Sequence, residues 1–220
     1  MKTIAIHQPN FLPWRGYFQK IQQADIFVFL DDVQISLGSR KCVTNRVSMV
    51  RESTQKWLTM PIIRAEKISD VRLTNKQEPF EKIRNWYRKA PYFKMVIPVL
   101  KQIFAYEINY LADFNINAIT ILCQHLGINT PMLRSSTLGI NSQKQDRILD
   151  IVSALGGDRY LSGTGAAIYQ DEKAFKERDI ALEYISHNLS PYPQPNCVTF
   201  IPGLSIIDLL MNCGLPPEHL

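Results

Sequence analysis

The spacing of apolar residues predicts a strand, a helix and a second strand at the start of the chain. Residues 2–7 and 25–31 are short, almost continuous apolar runs, which are typical of strands buried on both faces of a sheet. Between them, apolar residues from Trp14 to Ile21 recur at the three- and four-residue spacing of one helical face. A strand–helix–strand unit of this kind favours parallel pairing of its two strands.

Strands and helices continue to alternate along the rest of the chain. Further strands are predicted at residues 57–63, 131–137, 159–162 and 181–185, and helices at residues 79–89, 93–126, 142–155, 170–178 and 205–213. The polar segment 34–56 is interpreted as a long loop or irregular ribbon. Such alternation is typical of an α/β fold, so we predict a mostly parallel, Rossmann-like sheet with a helical insertion. Residues 1–220 would form a single α/β domain, with 79–126 as a mainly helical insertion or crossover.

Local signals predict several helix ends and one break. Ser142 and Gln145 have the spacing of a capping box, and Ser205 is expected to cap the last helix. Gly127 is a natural residue for the end of the helix that precedes it, and Pro98 predicts a break or kink.

Polar residues follow four of the predicted strands, at residues 7–10, 31–34, 135–137 and 162–165. In a parallel α/β sheet, ligands bind outside the carboxyl ends of the strands. We therefore predict a shared ligand site at that edge of the sheet.

Three residues of these clusters are the candidate catalytic groups. His7 ends the first strand just before a helix, where an imidazole can contact a phosphate or a developing anion; the alternative is that His7 ties down the loop while Asn10 caps the helix. Asp31 and Asp32 end the second strand, and one of them would bind Mg²⁺, a ribose hydroxyl or an amine. Because neighbours on a strand point to opposite faces, the two carboxylates cannot face one metal without a bend. The alternative for the pair is a capped strand end.

The candidate binding residues are polar, aromatic and glycine positions near the strand ends and on the long loop. They are Gln8, Asn10, Trp14, Lys20, Gln34, Asn45, Arg46, Ser162, Gly163, Gly165 and Tyr169. The loop also carries Arg40 and Lys41, so its donors either clamp phosphate or carboxylate groups or form a solvated surface. The glycine turn lets backbone approach a ligand closely but lacks the Gly-Lys-Ser/Thr of a Walker loop. No pattern with metal-ligand spacing is present.

The composition restricts the kinds of partner that the protein is expected to bind, but it does not indicate the reaction. The chain has 220 residues, with 25 Lys and Arg against 20 Asp and Glu, and the resulting charge of +5 suits an anionic small-molecule substrate. No basic run exceeds two residues, so nucleic acid is not expected as a partner. The four cysteines indicate reduced thiols in the cytoplasm. No apolar run reaches the roughly 18 residues of a membrane span, and the N-terminus does not resemble a signal peptide.

The chain contains a series of short motifs that occur together in one known protein family and cover nearly its whole length. They include residues 7–14 (HQPNFLPW), 16–18 (GYF), 30–34 (LDDVQ), 90–93 (APYF), 160–166 (YLSGTGA), 200–202 (FIP) and 208–210 (DLL). Through these motifs the chain resembles the WbqC-like protein family. The resemblance implies a place in bacterial surface-polysaccharide synthesis, notably of O-antigen, and leaves the reaction open. One departure is that Asn188 follows His187, where the family pattern implies a His-Pro pair.

The resemblance and the candidate residues together lead to three hypotheses. The first is a transferase that acts on a nucleotide-linked amino sugar by N-acyl or aminoacyl transfer, with an acyl-CoA, or ATP with Mg²⁺, as cofactor. The second is a non-catalytic scaffold of a polysaccharide-assembly complex. The third is an ATP-using nucleotidyl- or adenylate-forming enzyme. A looser likeness to the nucleotidylyltransferase and pantothenate-synthetase type of fold favours the third, although that motif's second histidine is missing where Tyr17 follows Gly16.

Overall fold

A computed structural model describes residues 1–35, 43–165, 170–187, 190–195 and 197–215. Over these residues the strands are β1 (Thr3–His7), β2 (Ile26–Phe29), β3 (Arg46–Arg51), β4 (Thr54–Thr59), β5 (Ile62–Ile63), β6 (Arg72–Leu73), β7 (Met132–Arg134), β8 (Arg159–Ser162) and β9 (Ala181–Tyr184). The α-helices are α1 (Arg15–Gln22), α2 (Gln77–Trp86), α3 (Phe93–Ala105), α4 (Leu111–His125), α5 (Lys144–Ala154), α6 (Glu172–Lys176) and α7 (Ile206–Cys213).

The chain divides into two compact units, each made of three segments. The first unit comprises Met1–Gln8, Gln19–Asp32 and Asn129–His187. The second unit comprises Pro9–Phe18, Val33–Ile128 and Asn188–Leu220. The single domain over residues 1–220 stays a prediction.

The first unit is built on a five-stranded sheet in the order β7-β2-β1-β8-β9. Each of its four strand pairs is parallel, and Ile4 of β1 lies opposite Ile26 of β2 and Tyr160 of β8. The apolar runs of β1 and β2 are buried because helices cover the sheet, and Val152 of α5 and Phe175 of α6 belong to its core. The α/β, mostly parallel, Rossmann-like fold predicted from the sequence is thereby confirmed.

The strand order reverses between β1 and β8. From β1 the chain moves first to β2 and then to β7 on one side, whereas β8 and β9 are added on the other side. In open α/β sheets this reversal leaves a crevice at the carboxyl ends of the two central strands, and ligands bind there. His7 and Ser162 are the last residues of β1 and β8, so both lie at this switch point.

The second unit contains a β-hairpin where the sequence predicted a loop. β3 and β4 pair antiparallel, with Arg51 opposite Thr54 across a two-residue turn. Glu52 and Ser53 occupy that turn with φ angles of 49° and 61°. The prediction over 34–56 was wrong because this turn lacks the Asn-Gly or Asp-Gly signal, and β4 is mostly exposed and polar, so it carries little apolar periodicity.

Three helices of the second unit occupy most of residues 79–126, as the sequence predicted. Pro98 lies inside α3 rather than breaking it, and the interruption falls at residues 106–110 instead. Aromatic rings join these helices, because the Phe104 ring lies 5.5 Å from that of Phe80 and 5.2 Å from that of Phe114, centroid to centroid. No described helix is long and apolar enough to span a membrane.

The predicted helix ends are partly confirmed. Ser205 caps α7, since its hydroxyl accepts a hydrogen bond of 3.2 Å from the Ile207 amide. Gly127 follows α4 with a φ of 69°, which suits glycine. The capping box at Ser142 does not form. α5 begins at Lys144 with a left-handed φ of 52°, so Ser142 lies too far ahead of the helix to cap it.

Candidate functional site

The candidate site of the first unit lies at the carboxyl edge of the five-stranded sheet. Parallel pairing brings residues 7–8, 31–32, 135–137 and 162–165 to this one edge, because each group follows a strand of the same sheet. Polar side chains from β1, β2, β7 and β8 therefore share the location that the sequence predicted for a ligand.

Two adjacent carboxylates follow β2 and converge on one serine. The Ser135 hydroxyl lies 2.6 Å from Asp32 Oδ1 and 3.2 Å from Asp31 Oδ1. Ser136 donates its amide to Asp31 Oδ1 at 3.0 Å and its hydroxyl to Oδ2 at 2.8 Å. The expectation that the carboxylates point to opposite faces is wrong. β2 ends at Phe29, so the alternation of a strand no longer applies to the aspartates.

Arginines compensate the charge of these carboxylates. Arg147 Nη2 donates to both oxygens of Asp32, at 2.8 and 2.6 Å, and Arg147 Nη1 donates to the Ile140 carbonyl at 2.9 Å. Arg134 Nη1 lies 3.8 Å from Asp31 Oδ2. The cluster thus holds the ends of β2 and β7 together without a large excess of charge. Among the described residues, no three or more His, Cys, Asp or Glu side chains gather as a metal site.

His7 is held at the end of β1 in one tautomer. Its Nδ1 lies 3.0 Å from the Gln8 carbonyl oxygen, which can only accept, so Nδ1 carries the proton and Nε2 carries the lone pair. Burial, and secondly the positive charge of Lys20, lower the pKa of His7 from 6.5 to about 4. The imidazole is therefore neutral at physiological pH, and its pKa would have to rise before it could act as an effective base.

Lys20 reaches from α1 to the switch point. Its side chain is buried, and Nζ donates to the Ile6 carbonyl at 2.8 Å and lies 6.0 Å from the centroid of the Tyr160 ring. Burial lowers the pKa of Lys20 from 10.5 to about 7. The pKa of His187 is also lowered, mainly by burial and secondly by the positive charge of Lys20. An ionisable amine thus lies against β1 and near the Tyr160 ring of β8, where its charge acts on His7.

The glycine turn after β8 presents backbone to open space. Ser162 is buried, and its hydroxyl accepts a hydrogen bond of 3.0 Å from Gln170 Nε2. A Cβ atom added at Gly163 or Gly165 would meet no described atom within 4 Å. Packing against the described part of the chain therefore does not require these glycines. Tyr169 lies outside the described residues.

Two predicted binding residues, Asn45 and Arg46, lie in the second unit and are engaged by its own hairpin. Asn45 Nδ2 donates to the Met60 carbonyl at 3.2 Å, and the Asn45 carbonyl accepts from the Met60 amide at 2.7 Å. The Arg46 guanidinium lies 4.5 Å from the centroid of the Trp57 ring. Arg40 and Lys41 lie outside the described residues.

The remaining predicted binding residues also lie in the second unit. Asn10 is buried and lies five residues before α1 begins, so it does not cap that helix. Trp14 forms an isolated bridge with Ser205, and Gln34 forms one with Lys67. The sequence prediction thus contained residues from both units, and eight of them belong to the first: His7, Gln8, Lys20, Asp31, Asp32, Ser162, Gly163 and Gly165.

Sequence reasoning missed two residues that shape the edge of the sheet. Arg147 pairs with Asp32 from 115 residues away, and Gln170 bonds to Ser162 from a segment read as the start of a charged helix. The sequence holds no local signal for Arg147, because a surface position on an amphipathic helix is an ordinary place for an arginine.

Together, the fold and this edge define an α/β protein whose candidate ligand site lies at a topological switch point. The model of the WbqC-like protein family matches residues 8–218, and the chain belongs to this family. The chain is also 28% identical over 229 residues to the Uncharacterized protein Rv1507c of Mycobacterium tuberculosis, with 100% of this chain and 98% of the relative covered. No solved structure matches the chain.

Proposed function

We propose that the protein is a transferase that acts on a nucleotide-linked amino sugar, by N-acyl or aminoacyl transfer, in bacterial surface-polysaccharide biosynthesis. The observation that carries the proposal is the neutral imidazole of His7 beside Lys20 at the switch point of the sheet. Membership of the WbqC-like family supports the proposed pathway, and the groups at the sheet edge support the proposed chemistry.

Acyl transfer to an amine needs a group that takes one proton from the attacking nitrogen. In the proposed reaction the amine nitrogen forms a bond to the acyl carbon, and the carbon–sulfur bond of a thioester donor breaks. The proton passes from the nitrogen to Nε2 of His7 and then to the departing thiolate. An anionic substrate beside His7 would raise its pKa from about 4 toward the value that such a base requires.

The neighbouring groups bind the rest of the substrate in this proposal. Lys20 and the backbone of the turn at residues 162–165 contact the phosphates, since a cation and bare amides both favour anions. Asp31 or Asp32 receives the substrate amine or a Mg²⁺, and Asp32 is the more accessible of the two because its side chain is 25% exposed against 4% for Asp31. The donor is an acyl-CoA, or a carboxylic acid activated by ATP with Mg²⁺.

The proposed compartment is the cytoplasm, where nucleotide-linked sugars and thioesters are available together. Cys123, Cys197 and Cys213 are free thiols, which agrees with a reducing compartment. The positive net charge of +5 agrees with an anionic small-molecule substrate.

Turnover of purified protein tests the proposal directly. Nucleotide-linked amino sugars are incubated with acyl-CoA donors, or with carboxylic acids, ATP and Mg²⁺, and acylated product is detected by mass spectrometry. We expect His7→Ala to lower kcat by about 10² to 10⁴-fold, the usual contribution of a proton-transfer group. His125→Ala, at an exposed position at the end of α4, is the matched control and should retain full activity. Full turnover by His7→Ala would remove the role assigned to His7.

A thermal-shift screen separates this proposal from its alternatives, because a specific ligand stabilises the folded state by mass action. Stabilisation by nucleotide sugars together with CoA esters favours the transferase. Stabilisation by ATP alone favours an adenylate- or nucleotidyl-forming enzyme. No stabilisation by any of them favours a non-catalytic scaffold of a polysaccharide-assembly complex.

A further inference from the structure

A wide groove lies in the second unit, beside the turn of the β3–β4 hairpin and the end of α2. Its volume is about 640 Å³. It continues into a small pocket of about 40 Å³, since Glu52, Trp86 and Lys89 line both. All of the lining residues belong to the second unit, so the groove is separate from the candidate site at the sheet edge.

The groove carries an excess of positive charge. Its lining includes four cations: Arg51, Lys82, Arg88 and Lys89. Arg51 is paired with Glu52 at 3.3 Å, and Lys82 is paired outside the lining with Glu78 at 2.6 Å. Arg88 and Lys89 form no hydrogen bond or ion pair with any residue in the described part of the chain. Two exposed cations are therefore available to a ligand with at least two negative charges.

An aromatic ring and a carboxylate stand where the groove meets the pocket. Trp86 is half-buried and lines both the groove and the pocket, and an indole is a ring on which a planar base can stack. Glu52 is exposed, and a carboxylate beside such a ring can accept hydrogen bonds from ribose hydroxyls. The dipole of α2 by itself favours cations near the carboxyl end of the helix. It does not explain why an indole, a carboxylate and a pocket lie beside those cations.

The walls of the groove are fixed in advance by a buried hydrogen-bond chain. Tyr87, between Trp86 and Arg88 in sequence, accepts a hydrogen bond of 3.1 Å from the Val50 amide. Its hydroxyl donates to Asp208 Oδ1 at 2.6 Å. The hairpin, the end of α2 and α7 are thereby held together, so that little ordering is needed when a ligand binds.

We propose that this groove is a binding site for a nucleoside diphosphate. The two phosphates contact Arg88 and Lys89, the base stacks on Trp86, and the ribose hydroxyls donate to Glu52. The groove, at about 640 Å³, has room for one nucleoside diphosphate and lies within the usual size range of small-molecule sites. The site is independent of the transferase proposed above and needs no reaction at the sheet edge.

Calorimetric titration with UDP, inorganic pyrophosphate and uridine tests the site. We expect UDP to bind more tightly than pyrophosphate, and uridine to bind weakest. The double variant R88A/K89A should weaken UDP binding by about tenfold or more, because each cation contributes a charge-assisted hydrogen bond. Trp86→Leu should weaken UDP by about tenfold and leave pyrophosphate binding unchanged, because only the base stacks on the indole.

Matched controls separate the groove from bulk charge and from the sheet edge. The double variant K94A/K101A removes two exposed cations from α3 and should leave UDP binding unchanged. All titrations are repeated in a Lys20→Met background, which removes the cation assigned to phosphate binding at the sheet edge, and far-UV circular dichroism checks the fold of each variant. Absence of UDP binding at millimolar concentration, equal losses in R88A/K89A and K94A/K101A, or pyrophosphate binding as tight as that of UDP would each overturn the proposal.

Discussion

Each unit of the protein buries a carboxylate cluster, and the two clusters are built in opposite ways. At the sheet edge of the first unit, Asp31 and Asp32 are 3% exposed and half-buried respectively, and they meet serines and arginines. In the second unit Asp208, 1% exposed, accepts hydrogen bonds from the hydroxyls of Tyr87 at 2.6 Å and Tyr192 at 2.7 Å. One cluster has cations as partners, whereas the other is held by neutral donors.

The difference shows that the hydrogen-bond and ion-pair partners of a carboxylate determine which role it can have at its location. Burial raises the pKa of Asp208, and the hydrogen bonds from Tyr87 and Tyr192 oppose that rise only in part. A carboxylate of this kind suits an internal brace between distant segments. Asp31 and Asp32, whose charge is offset by arginines, leave the sheet edge without a large excess of negative charge.

Removal of the brace should have the largest effect on stability. Asp208→Ala leaves two tyrosine hydroxyls buried without their acceptor, so we expect the free energy of unfolding to fall by about 4 kcal/mol. Urea denaturation monitored by circular dichroism measures it. A fall below about 1 kcal/mol would mean that Asp208 does not brace the second unit.

Asp208→Asn is the matched control, because it keeps an acceptor oxygen at the same position. We expect a smaller loss, together with a change in pH dependence. A raised pKa means that folded Asp208 holds its proton at higher pH than the unfolded chain does. The contribution of protonated Asp208 to stability is therefore fully present below pH 3.8, its value in the unfolded chain, and is lost as pH rises through its pKa in the folded protein. Asp208→Asn should abolish this loss, because an amide does not titrate.

Removal of the cation at the sheet edge should have an intermediate effect. Arg147→Met leaves Asp32 without its two charge-assisted hydrogen bonds and the Ile140 carbonyl without a donor, so we expect a loss of about 2 kcal/mol. The loss should be smaller than for Asp208→Ala because the Asp32 side chain is 25% exposed and water can reach it. Urea midpoints are compared for Arg147→Met and Arg147→Lys. An effect as large as that of Asp208→Ala would remove the contrast between the two clusters.

Substitution of Lys20 should have the smallest effect on stability and a clear effect on His7. Lys20→Met relieves the burial of an amine and loses one hydrogen bond, so we expect a change of about 1 kcal/mol or less. The pKa of His7, followed by NMR titration of its ring protons, should rise only part of the way from about 4 toward 6.5, because burial, the larger cause of the lowered pKa, remains and only the nearby positive charge is gone. Lys2→Met removes a cation from the opposite end of β1 and should leave the titration of His7 unchanged.

The sign of the pH effect at His7 follows from the same linkage. Between pH 4 and 6.5 the unfolded chain binds a proton that folded His7 does not, so stability falls as pH falls through this range. In Lys20→Met the folded pKa of His7 is higher, so the pH range over which stability falls should still begin at 6.5 but end above 4. A His7 titration identical to that of the unmodified protein would show that Lys20 does not influence the imidazole.

The sequence allowed much of the first unit to be predicted, because its signals are local. The apolar runs before His7 and Asp31, and the cap at Ser205 in the second unit, depend on neighbours within one turn or strand. The β3–β4 hairpin was missed because Glu52 and Ser53 carry no turn signal. The pairing of Arg147 with Asp32 was missed because the two are 115 residues apart.

The sequence by itself determined that polar residues follow the buried strands of a parallel sheet. Both the burial of a strand and the place where it ends depend on the spacing of apolar and polar residues within a short stretch of chain. Only the tertiary structure decided which of those residues meet. Asp31 and Asp32 turn to a common serine after their strand ends, and Lys20 reaches the switch point beside His7. It likewise assigned Asn45 and Arg46 to a hairpin of the second unit. Such encounters depend on strand order and on where each strand stops, and those properties arise from packing over the whole chain rather than from any short stretch of it.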